Sequence, residues 1–304
     1  MRLKDGDKRR IIALTLIIVG LLLANYPMVQ TTWNNWETAR ATARVIEQAA
    51  TEQQNASALE LAEAYNAKLD SFPVLDPWID RVAKLDNDDW VEYVKQLSFD
   101  ERGLMGRLSI ETVNIDVPIY HGTHDETLER GAGHLFGSSL PVGGPHQHSI
   151  ITAHSGLATA SMFDSLRSVS VGDLIRLDFP GFIRVYRVSG ARVIKPEDVS
   201  TLVPRAHEDL LTLITCTPYG INTHRLLIEA KRDQAAEAEL SAAGKSPSLD
   251  LMGHIPAWVK WGFGIEFAGA GIIGFTIFMR RLRRTHVENK GLHVSRDNGR
   301  ITGA

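Results

Sequence analysis

Cysteine is nearly absent: Cys216 is the only one in 304 residues. A single thiol excludes an internal disulfide and any metal site built on cysteine pairs. An excess of one charge is also missing. Lysine and arginine total 33 against 36 aspartate and glutamate, a net charge of -3, so no electrostatic footprint for nucleic acid is present. What the chain has in quantity is apolar side chains, 44% of the total, enough for one substantial core plus accessory segments.

Two long apolar runs stand at the ends. Residues 11–29 are almost wholly apolar, interrupted by Thr15, Asn25 and the helix-unfriendly Pro27. As a helix this run rises about 28 Å, close to the ~30 Å hydrocarbon thickness of a bilayer. The basic residues Arg2, Lys4, Lys8, Arg9 and Arg10 precede it and predict a cytoplasmic N-terminus. A cleaved signal peptide shares these features, but bulky Asn25-Tyr26-Pro27-Met28 offers no small-x-small cleavage site, which favours an uncleaved anchor. The second run, within residues 258–279, starts at Trp258 and Trp261 and is followed at once by Arg280, Arg281, Arg283 and Arg284. Tryptophans at one end and arginines at the other suit the two interfaces of a membrane span. Both termini then read as cytoplasmic, with residues 30–257 outside the cell.

Within that outside portion the character changes twice. Residues 33–70 are polar and alanine-rich; the stretch 57–69 has helical periodicity behind Ser57 as a cap, and a second short helix is expected over 88–96. Between them Pro73 and Pro77 break the helix. From Met105 onward Leu108, Ile110, Val113, Ile115, Val117 and Ile119 alternate with polar neighbours, the pattern of a strand with one buried face. Further strands are expected over 149–153, 174–179, 183–188, 191–194, 210–216 and 225–231. No long amphipathic helix separates them, so parallel crossovers are not expected. The fold class is mainly β, a mostly antiparallel barrel of about eight short strands with short helices. After Asp233 the composition is linker-like to residue 257.

The segment 210–230 carries the chemistry. Two apolar strands flank a polar turn, with Cys216 ending the first and Arg225 beginning the second. In an antiparallel hairpin the two lie nearly opposite. A guanidinium beside a thiol favours thiolate and supplies fixed positive charge where an acyl oxyanion develops. A lone cysteine is otherwise a small buried hydrophobe, and that reading leaves its place at a strand end beside a Pro/Gly-bearing loop unaccounted for. Acyl transfer also needs a proton carrier. Among eleven histidines, His154 ends an apolar strand and opens a small-residue loop, the same strand-end setting as Cys216. His121 with His124, and His146 with His148, have the spacing of metal pairs, but no acidic or thiol ligands cluster with them.

On these residues the resemblance becomes specific. The run TLITCTPYGINTHRLLI resembles the active-site signature of sortases, TLxTC followed by an arginine on the next strand. TAHSGL resembles the sortase histidine motif, with Ala153 and Ser155 where glycine and arginine are commoner. Residues 131–144 are similar to the segment before that histidine in the pilin-polymerising group. Asp76-Pro77-Trp78 resembles the Asp-Pro-aromatic lid of class C sortases, as do the flanking apolar runs. The resemblance covers roughly residues 60–280. It implies a sortase-type eight-stranded barrel at residues 105–233, preceded by a cytoplasmic 1–10, a span at 11–29 and a helical lead with lid at 30–104. A linker at 234–257, a span at 258–279 and a cytoplasmic tail at 280–304 would follow.

It also implies roles. Cys216 would attack the Thr–Gly carbonyl of an LPxTG-type sorting signal, His154 would carry the proton, and Arg225 would hold the substrate and oxyanion. A pilin lysine amine would be the acceptor, giving an isopeptide-linked fibre, and neither metal nor organic cofactor is required. Asp76 and Trp78 would restrain the site as a lid. Two alternatives are a sortase that anchors surface proteins to the cell wall and a non-catalytic membrane-tethered surface module.

Overall fold

The computed structural model describes residues 5–48, 52–69, 88–157, 160–198, 200 and 202–243. Asp76, Pro77 and Trp78, the apolar run at 258–279 and the tail at 280–304 lie outside the described residues. Every described residue belongs to the first of two compact units, Met1–His254.

The first apolar run does not stop at residue 29. A single helix, α1, runs Asp5–Gln48 and bends by 40° between the segments Ile12–Tyr26 and Val29–Glu47. The break falls at residues 27–28, where the sequence has a proline, a residue without an amide donor for the helix. Among the described residues no single helix is long and apolar enough to cross a membrane, although this bent pair qualifies together. In its first half Ile12, Leu16, Ile17, Ile18 and Leu23 are exposed. In its second half Ala39 and Thr42 are buried, and the helix packs on the barrel.

The next helix, α2 (Glu52–Lys68), starts earlier than its periodicity suggests. Ser57 therefore lies inside it and is no cap. Asn55, Ala62 and Asn66 are its buried residues, and Asn66 exchanges two hydrogen bonds with the backbone of Leu140, at 3.0 and 2.8 Å. Helix α3 (Asp88–Tyr93) is anchored by Tyr93, which is fully buried.

Eight strands follow: β1 Leu104–Ile110, β2 Ile115–His121, β3 Ala132–His134, β4 Gln147–Thr152, β5 Leu174–Phe179, β6 Phe182–Ile194, β7 Asp209–Thr217 and β8 His224–Arg232. They close a barrel in the order β1-β2-β3-β4-β7-β8-β6-β5. Two pairs, β2 with β3 and β4 with β7, are parallel, contrary to the expectation that parallel crossovers are absent. The first crossover needs only helix α4 (Asp125–Arg130), and the second is made by β5, β6 and their loops. The single alternating run expected from Met105 is two strands, split where Asn114 takes a left-handed conformation (φ 52°). The strands expected over 183–188 and 191–194 are one, β6, kinked by a bulge between Val188 and Gly190.

Strand β1 is buried on both faces, not one. Arg107 is tolerated inside because Asp116 answers its guanidinium at 2.6 and 2.5 Å. The stretch after Asp233 also departs from a linker: α5 (Gln234–Ala242) begins with the Asp233 carboxylate accepting from Ala236 N–H at 3.0 Å. Its Glu237 pairs with Arg232 at 2.8 Å.

Candidate active site

Strand parity decides which face carries the site. Leu211 and Leu213 of β7, Ile151 of β4, and Leu226 and Ile228 of β8 belong to the main core cluster. Their alternate neighbours Ile150, Ile214 and Leu227 form a second cluster on the opposite face, with Leu202 and Leu135. Because side chains alternate, Cys216 shares the face of Ile214, and Arg225 that of Leu227. His154, four residues past Ile150, has the same parity. The site therefore stands on the outer face of the barrel wall, above an apolar floor.

Register sets the lateral order. Cys216 pairs directly with Arg225 across the β7–β8 ladder. β4 and β7 run parallel with Thr152 beside Ile214, so two more steps along each chain bring His154 and Cys216 to the same level. Three hydrogen bonds continue this pairing beyond the end of β4. Ala153 N–H donates to the Ile214 carbonyl at 3.2 Å, Thr215 Oγ1 to the Ala153 carbonyl at 2.8 Å, and Ser155 Oγ to the Cys216 carbonyl at 2.8 Å. Ser155, which departs from the usual motif, is thus a tie between the two strand ends. Local sequence carries no signal for it, because its acceptor is 61 residues away.

Each of the three side chains has a distinct setting. The guanidinium of Arg225 is buried, and its Nη1 donates to the carbonyls of Asn222 and His224 at 3.3 Å each. Cys216 and His154 are half-buried. Burial holds His154 below its ordinary value, and the carboxylates of Asp125 and Glu129 on α4 oppose that shift. Burial thus disfavours positive charge on the ring, and the two carboxylates favour it. These acidic neighbours are not visible in the sequence.

Three of the other histidines are occupied elsewhere. Both ring nitrogens of His121 face carbonyls, Gly103 O at 3.0 Å and Gln96 O at 2.6 Å. His148 lies between the Val203 carbonyl at 3.1 Å and Thr212 Oγ1 at 2.8 Å. His124 packs edge-on against Trp90. Among the described residues no three histidine, cysteine or acidic side chains converge as metal ligands.

Cys216 and Arg225 pair across β7 and β8, and His154 follows the end of the neighbouring β4, a candidate cysteine-centred site on a mainly β barrel. Comparison with known proteins identifies the class. A sortase domain model matches residues 108–233. The crystal structure of sortase C-1 from Actinomyces oris is 44% identical, with a TM-score of 0.55 over 59% of this chain and 98% of that one. Sortase C from Streptococcus pneumoniae, whose structure is described for its bearing on catalysis and pilin substrate specificity, is 34% identical. It matches with a TM-score of 0.58 over 65% of this chain and 96% of that one. Sortase A of Streptococcus agalactiae is 26% identical over 137 residues, 44% of this chain and 55% of that protein, so the chain spans about half the length of this curated relative. The chain belongs to the sortase family, whose members are cysteine transpeptidases.

Proposed function

We propose that this chain is a membrane-anchored, class C-type sortase that polymerises pilins, with Cys216 as nucleophile. The observation that carries this reading is the direct pairing of Cys216 with Arg225 across β7 and β8, with His154 just past the end of the adjacent β4. The class C assignment rests on the lid-like tripeptide, the flanking apolar runs and the likeness to sortases C of Actinomyces oris and Streptococcus pneumoniae.

The reaction begins with neutral His154 taking the Cys216 thiol proton as Sγ bonds to the Thr carbonyl carbon of an LPxTG-type sorting signal. The carbonyl oxygen becomes an oxyanion opposite the fixed charge of Arg225. Asp125 and Glu129 offset the desolvation of the imidazolium so formed. That imidazolium passes its proton to the departing Gly amine as the C–N bond breaks, leaving a thioester. A pilin lysine amine then attacks the thioester, and His154 accepts its proton and passes it to the departing Cys216 sulfur, restoring the thiol and the neutral ring. One amide is exchanged for another, with no net redox change and no cofactor.

The proposed topology places 1–10 and 280–304 in the cytoplasm, spans at 11–29 and 258–279, and the barrel outside. Exposed Ile12, Leu16, Ile17, Ile18 and Leu23 support the first span. Leaving each in water forgoes about 1.5–3 kcal/mol, so this stretch of α1 favours an apolar surrounding. The lid role proposed for Asp76 and Trp78 rests on the resemblance of the Asp76-Pro77-Trp78 tripeptide alone, since these residues lie outside the described ones.

The test is to incubate the protein with an LPxTG peptide and look by mass spectrometry for a thioester on Cys216. A pilin bearing an acceptor lysine and a peptidoglycan amine are then offered in competition. An adduct that Cys216→Ala abolishes, followed by transfer to the pilin lysine, is the expected result. Transfer only to the peptidoglycan amine would make this a wall-anchoring enzyme, and no adduct at all would leave a non-catalytic surface module.

A further inference from the structure

The candidate site is tied at its back to α1. Asn35, in the barrel-facing half of α1, makes two hydrogen bonds with one residue 126 positions away. Its Nδ2 donates to Ser161 Oγ at 3.0 Å, and its Oδ1 accepts from Ser161 N–H at 3.2 Å. Ser161 belongs to the chain that returns toward His154. Two residues on, Phe163 N–H donates to the His154 carbonyl at 3.0 Å, and the Phe163 ring is buried in the main core. Asp164 extends the same knot: its N–H reaches the Ser161 carbonyl at 2.8 Å, and its carboxylate accepts from Gly156 N–H at 2.6 Å. His154 lies past the end of β4, outside the regular ladder, so these side contacts and the tie from Ser155 fix its backbone.

We propose that Asn35 is a positioning residue for His154, coupling α1 to the active site through Ser161 and Phe163. It touches neither substrate nor thiol. Its amide offers a donor and an acceptor to the hydroxyl and N–H of Ser161 and so locks the returning chain against α1. The helix that carries the first apolar run is thereby part of the catalytic scaffold as well as an anchor. This rests on the proposed role of His154, but the physical coupling does not.

The bond pattern predicts a graded series. Asn35→Ala removes both bonds, whereas Ser161→Ala removes only the one to the hydroxyl and keeps the backbone bond. Asn35→Asp keeps both, because the Ser161 hydroxyl turns to donate to the carboxylate. The experiment uses the full chain in detergent micelles and has two readouts. Amide hydrogen exchange at Ser161 and Phe163 should accelerate about tenfold in Asn35→Ala, less in Ser161→Ala and little in Asn35→Asp, while amides of β4 and β7 stay unchanged. Turnover of an LPxTG peptide should follow the same order, with kcat about tenfold lower in Asn35→Ala and KM within about twofold.

Unchanged exchange at Phe163 in Asn35→Ala would overturn the coupling. So would equal loss of kcat in Asn35→Asp and Asn35→Ala, since a merely structural defect at this helix face is not rescued by aspartate. Exchange that follows the series among the variants, with no turnover even in the wild type, would instead refute the proposed function and leave the coupling standing.

Discussion

Acidification should destabilise the barrel through one buried ring, His134. Its Nε2 donates to the Ser139 carbonyl at 2.9 Å, and its Nδ1 lies 2.9 Å from the hydroxyl of Tyr93, itself fully buried. Burial pushes the imidazole down from 6.5 to about 3. The unfolded ring therefore gains its proton first as pH falls. Stability from this group is complete above pH 6.5, drains below it, and levels off once pH passes below 3. With those two values, the loss between pH 7 and pH 5 is about 2 kcal/mol, and the full loss is about 5 kcal/mol. For a domain of this size the first figure corresponds to a fall of about 4–8 °C in Tm. His121 and His148 are also held low by burial and act in the same direction, so the wild-type slope alone does not isolate His134. The assay is thermal unfolding at pH 7 and 5 of the wild type and of His134→Gln, whose amide still donates to Ser139 but does not titrate. The variant should lose about 2 kcal/mol less over that interval, whatever its stability at pH 7. Equal losses in the two proteins would refute the assignment.

The remaining predictions concern the site. Arg225→Lys should lower kcat for acylation about a hundredfold with a small change in KM, because a point charge on a flexible stem does not reproduce a buried planar guanidinium opposite Cys216. Single-turnover thioester formation measures this, and full activity in the lysine variant would remove Arg225 from the oxyanion role. His154 should titrate below 6.5 in an NMR titration of its ring protons, and Asp125→Asn with Glu129→Gln should move it lower still. An upward move would show that those carboxylates do not face the ring.

Much of the barrel was legible because its strands alternate locally. The hairpin of β7 and β8 was legible for the same reason: its two strands are joined by a short turn, and Cys216 and Arg225 sit at its mouth. Strand β3 was not, since Ala132, Gly133 and His134 have no pattern that three residues can display. The parallel pairings escaped as well. Short crossovers through α4 or through other strands carry no long amphipathic signature.

Sequence by itself determined the single thiol, its strand-end position, the arginine beside it and the apolar run of α1. These are properties of neighbours along the chain, where period and composition speak directly. Tertiary structure alone decided that His154 stands level with Cys216, because that depends on the register of strands about 60 residues apart. It alone set all three groups on the outer face, brought Asp125 and Glu129 toward His154, and joined Asn35 to Ser161. Contacts of that kind arise from how the barrel closes, and closure is a property of the whole chain.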